Sequence, residues 1–119
     1  MGRAFEVLAS VAQPNFTRWS IVYDLGAGEV HYRTEGNRAI RRITLASFDF
    51  SCSTPVRMLD VTTGNAGDVS AAFEDYTTNG MRALIEATFS KTPFLQPMPA
   101  AARDAAAAHP AATSSCSPL

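Results

Sequence analysis

Residues 17–34 read Thr17-Arg18-Trp19-Ser20-Ile21-Val22-Tyr23-Asp24-Leu25-Gly26-Ala27-Gly28-Glu29-Val30-His31-Tyr32-Arg33-Thr34. Two runs rich in β-branched and aromatic residues, Trp19 to Tyr23 and Val30 to Thr34, flank a link whose Gly26 and Gly28 tolerate positive φ. The pattern predicts a β-hairpin. Strand alternation puts Trp19, Ile21 and Tyr23 on one face and Val22 on the other, so both faces carry apolar side chains, as in a layered fold.

Working outward, Arg3 to Ala12 places Phe5, Leu8, Ala9 and Ala12 at helical spacing, and Pro14 ends that helix. Ile40 to Leu45 predicts a third strand, and Val56 to Val61 an extended segment. From Val69 to Phe89 the residues Phe73, Tyr76, Met81, Leu84, Ile85 and Phe89 keep a helical period, with Asp68 as N-cap and Gly80 weakening the middle. Helix, strands and helix in that order predict an α+β fold with antiparallel strands and a helix before and after them. Beyond Lys91 the chain holds five of its seven prolines and nine alanines. The expected organisation is therefore a folded portion over residues 1–90 and an Ala/Pro-rich disordered tail over 91–119, with a marginal helix at most through Ala100 to Ala108.

The chain has 119 residues, 46% hydrophobic and 18% charged, with a formal charge of −1. That balance excludes a broad electrostatic footprint for nucleic acid or an anionic membrane, and no apolar run is long enough to cross a membrane. Glu6 interrupts any secretory signal core. With two cysteines in unrelated segments, free thiols are the expectation, and a cytoplasmic location follows. Arg33, Arg38, Arg41 and Arg42 cluster beside Tyr32, but no nucleic-acid motif accompanies them, so they are expected to face solvent on an edge strand and discourage edge pairing. His31 and His109 lack ligand spacing, which predicts no metal. Gly26-Ala27-Gly28 precedes a strand, so it is a turn and not a dinucleotide motif. Gly64-Asn65-Ala66-Gly67 lacks a Gly-Lys-Ser/Thr ending and is expected to cap a helix. Cys52 has no adjacent base or cation and is expected to be a buried structural cysteine. These residues predict no catalytic, cofactor-binding or metal site.

Several ordered blocks nevertheless resemble one family. Thr17 to Leu25 and Tyr32-Arg33-Thr34 look like the late hairpin of linear amide C–N hydrolases, the choloylglycine (bile salt) hydrolases and penicillin V acylases. Phe48-Asp49-Phe50-Ser51-Cys52 and Thr54-Pro55-Val56-Arg57-Met58-Leu59-Asp60 resemble that family's closing segment, and Arg3 to Gln13 the helix before the hairpin. The resemblance covers about residues 3–90. It implies part of a four-layer αββα N-terminal-nucleophile hydrolase. In such enzymes an N-terminal cysteine supplies the thiolate that attacks the amide carbonyl, while its own α-amine takes the proton.

The family's supporting Arg, Asp and Asn positions lie upstream of the part matched here, and this sequence opens Met1-Gly2. No catalytic residue carries over. The expectation is a C-terminal fragment or subunit, inactive alone, whose partner is the missing N-terminal part of the hydrolase or another copy of itself. A small-molecule amide would be substrate only for the complete enzyme. The alternative expectation is a non-catalytic binding or interaction module that keeps part of the hydrolase scaffold.

Overall fold

A computed structural model describes residues 2–62 and 64–113. Helix α1 (Gly2–Val11) precedes strands β1 (Trp19–Asp24), β2 (Glu29–Thr34) and β3 (Arg41–Thr44). Short strands β4 (Arg57–Met58), β5 (Gly67–Asp68) and β6 (Glu74–Asp75) follow, then helices α2 (Thr78–Ser90) and α3 (Ala100–Thr113). The class is α+β, with three helices, a four-stranded sheet in the order β1-β2-β3-β5 and the two-stranded pair β4-β6. The large sheet is mixed: β1, β2 and β3 run antiparallel, but β5 joins β3 in parallel. An all-antiparallel sheet was expected, and the short β5 sits in a stretch too rich in turn residues to read as a strand.

The chain divides into two compact units, residues 1–50 with 58–74, and residues 51–57 with 75–119. In the first, the predicted hairpin forms with Ile21 opposite Tyr32 and Ser20 opposite Arg33. Its link is a turn in which Asp24 Oδ1 accepts from the Ala27 N–H at 3.0 Å and Gly28 takes a φ of 66°, a conformation glycine adopts without steric cost. Phe5 anchors α1 and is buried, while Val7 and Val11 stay exposed. On the other sheet face Ile21, Tyr32 and Arg41 form a row across three strands. Val69 is buried, and Phe48 meets Phe73 edge-on at 4.8 Å between ring centres.

In the second unit, α2 begins at Thr78 and is capped by Thr77, whose hydroxyl accepts from the Gly80 N–H at 2.9 Å. The predicted helix from Val69 with Asp68 as cap is corrected. Residues 67–75 instead form β5, a 3-10 turn (Ser70–Ala72) and β6. Gly80 therefore lies in the first turn, where its weakening effect is smaller than in a helix middle.

The expected disordered tail is also corrected over its described part, because Ala100–Thr113 is helical despite Pro110. Alanine favours helix, but a segment this short is marginal in water, so docking decides. Arg82 Nε meets Asp104 Oδ1 at 2.6 Å, and Arg103 Nη1 meets Glu86 Oε2 at 2.6 Å. The Tyr76 hydroxyl donates to the Ala107 carbonyl, and Ala107 has no exposed surface. Small side chains let the α3 backbone approach α2 closely enough for these bonds. Residues 114–119, including Cys116, lie outside the described residues.

Candidate functional site

The structure takes the arginine run apart. β2 and β3 are interior strands, which overturns the expected edge-strand role for these side chains. Arg41 is wholly buried. Its guanidinium donates to the Val61 carbonyl at 2.8 Å, the Thr34 hydroxyl at 3.1 Å and the Asn37 carbonyl at 3.2 Å, and its Cζ lies 4.7 Å from the Tyr32 ring centre. Arg41 thus ties the turn after β2 to residue 61 and acts as a core residue. Its Tyr32 neighbour is buried too, with a hydroxyl that meets no hydrogen-bond partner among the described residues. Burial pushes the phenol above its ordinary pKa, Arg41 pulls it back, and Asp60 pushes it up.

Arg42 faces the opposite side of the sheet. It pairs with Glu29 at 3.7 Å and Asp68 at 3.5 Å. Asp68 also accepts from the Ser70 backbone at 2.9 Å and the Thr44 hydroxyl at 3.0 Å. Hydrogen bonds from the Ser70 side chain and backbone, then from Thr44 and Arg42, lower its carboxyl to a pKa of about 2. His31 Nε2 lies 3.0 Å from Glu29 Oε2, two residues earlier on the same strand, β2. Among the described residues no cluster of His, Cys, Asp and Glu is arranged to hold a metal.

Arg33 and Arg38 go elsewhere. Both line a cavity of about 280 Å³ between the end of α1, the loop after it and the hairpin. Arg33 lies against Phe5, with Cζ 5.0 Å from the ring centre and an Nη donating to the Phe5 carbonyl at 3.2 Å. Arg18 and Glu35 form a 2.6 Å ion pair on the same wall. The loop floor is shaped by Asn15, which adopts a φ of 67°, a left-handed conformation that asparagine tolerates better than most residues. Sequence reading grouped four arginines by proximity along the chain. It missed Arg18, Gln13 and Thr17, because only the return of the chain after α1 brings them to Arg33.

Gly64 to Gly67 leads into β5 and caps no helix, which corrects that expectation. Cys52 is exposed and disulfide-bonded, so the expectations of a free thiol and of a buried cysteine both fail for it. His109 lies on α3. Among the described residues no helix is long and apolar enough to cross a membrane.

The described residues define an α+β chain with a small arginine-lined cavity. Comparison with protein-family models, curated proteins and solved structures finds no match to this chain.

Proposed function

We propose that these residues form the C-terminal part of a linear amide C–N hydrolase of the choloylglycine hydrolase and penicillin V acylase type, with a structural role. What carries this reading is the ordered likeness of residues 3–13, 17–25 with 32–34, and 48–52 with 54–60 to that family's helix before the late hairpin, the hairpin itself and the closing segment. The surface of the hairpin supports it. β1 is the outer strand of its sheet, and Trp19 and Tyr23 on one face are 61% and 62% exposed. A free strand edge beside exposed aromatic rings is costly for a chain that works alone, and another layer of polypeptide relieves that cost. In the complete enzyme the hairpin extends an inner sheet of an αββα sandwich, and an N-terminal cysteine on the other part performs the acyl transfer.

Taken alone, the chain offers none of the family's catalytic positions and is inactive. Its partner is the N-terminal part of the hydrolase, and the substrate of the assembled enzyme is a small non-peptide amide. The same reading puts the chain in the cytoplasm. The disulfide at Cys52 weighs against that location, since such bonds persist mainly in oxidising compartments.

The test is co-expression with a segment carrying an N-terminal cysteine encoded upstream, followed by size-exclusion chromatography and assay of penicillin V and conjugated bile salt hydrolysis. Co-elution with activity confined to the mixture is expected. Turnover by the isolated chain, or separate elution without activity, refutes the proposal. Separate elution without activity leaves the interaction-module reading, because the arginine-lined cavity needs no second polypeptide to form.

A further inference from the structure

The cavity beside α1 raises a question that does not depend on the hydrolase reading. Three arginines, Arg18, Arg33 and Arg38, and one acidic residue, Glu35, are among the residues that line it. The carboxylate is taken by Arg18 at 2.6 Å. Among the described residues neither Arg33 nor Arg38 has a carboxylate within ion-pairing distance. Arg33 is partly withdrawn from water against the buried Phe5 ring, and its Nε is shut off from solvent without an acceptor among the described residues. A guanidinium in that position is destabilised by lost hydration, and an entering anion offsets the loss.

Neutral donors complete the wall. The Thr17 hydroxyl accepts from the Gln13 N–H at 3.0 Å, which leaves its own proton to donate. Gln13, Asn15 and Ser20 also line the space. The C-terminal end of α1 opposes an anion with roughly half a unit of negative charge, too little to cancel two unpaired arginines. At about 280 Å³ the cavity is at the small end for ligand sites. Arginine forks match the planar or tetrahedral oxygens of carboxylate and phosphate.

We infer that this cavity is a binding site for a small oxyanion, a carboxylate or phosphate group of a low-mass metabolite, held by Arg33 and Arg38. The experiment is a titration of the full 119-residue chain, followed by amide ¹H–¹⁵N chemical shifts at low, matched ionic strength, with sodium benzoate in one arm and inorganic phosphate in the other. Saturable shifts confined to residues 9–20 and 33–38 are expected in at least one arm, and the arm that saturates identifies the class. Arg38 is exposed and makes no side-chain hydrogen bond among the described residues, so Arg38→Ala keeps the fold. It is expected to weaken binding at least about tenfold, the loss of one charge-assisted hydrogen bond. Arg42→Ala, on the other end of the arginine run, is expected to leave affinity unchanged. Shifts that rise linearly in both arms, or saturable binding that Arg38→Ala leaves intact, overturn the site.

Discussion

At the scale of single residues, the sharpest contrast is between Arg41 and Asp68, two charged side chains that the sheet uses in opposite ways. Arg41 is sealed in the interior and satisfied by oxygens of Thr34, Asn37 and Val61. Arg41→Met keeps volume but strands those acceptors, and is expected to lower unfolding free energy by roughly 3 kcal/mol in urea denaturation. Tyr32→Phe has the reverse sign. It removes a buried hydroxyl without a partner among the described residues and is expected to raise stability by up to about 1 kcal/mol in the same measurement. Asp68 is more exposed, and its folded-state carboxyl is depressed to about 2. A depressed carboxyl stabilises the fold above its unfolded pKa of about 3.9 and ceases to do so as pH falls through its folded value. Asp68→Asn should therefore destabilise the chain at neutral pH, and thermal melts of the two proteins should converge between about pH 4 and pH 2. The arginines at 33, 38, 41 and 42 were visible in the sequence as a group. Their separate destinations were not, because one step along a strand sends a side chain to the opposite face.

Elements with strong local patterning were legible. The β1-β2 hairpin follows from two β-branched and aromatic runs around a glycine turn, and α1 from the spacing of Phe5 and Leu8. Failures came where a weak pattern met tertiary contacts. Residues 69–76 carry apolar positions at helical spacing, yet the Val69 N–H donates to the Arg42 carbonyl at 2.9 Å and the Tyr76 N–H to the Val56 carbonyl at 2.7 Å. Those bonds tie the two ends of the segment to other stretches of chain, a 3-10 turn (Ser70–Ala72) fills the interval, and the helix waits for its cap at Thr77. Thr77→Ala is expected to cost about 1 kcal/mol and to reduce helical ellipticity. α3 was discounted because alanine and proline signal little core. Its small side chains are what let it dock, with Ala107 fully covered. Ala107→Leu overpacks that contact and should lower stability by about 1–3 kcal/mol, detectable as an earlier thermal midpoint.

For the molecule as a whole, the exposed rings of Trp19 and Tyr23 beside an open strand edge predict association. Sedimentation velocity of the isolated chain should show concentration-dependent self-association, and Trp19→Ser with Tyr23→Ser should reduce it; self-association left unchanged by the two substitutions contradicts a contact role for these rings. Protein purified without reductant should leave Cys52 unreactive toward a thiol reagent until it is reduced. The linear order of residues was enough for the α+β class and the hairpin, because each depends on neighbours within a few positions. The parallel addition of β5, the burial of Arg41, the docking of α3 and the convergence of Arg18, Arg33 and Arg38 on one cavity required the folded chain. Each brings together groups far apart in sequence, and no local propensity encodes which distant partner will satisfy a given hydrogen bond or charge.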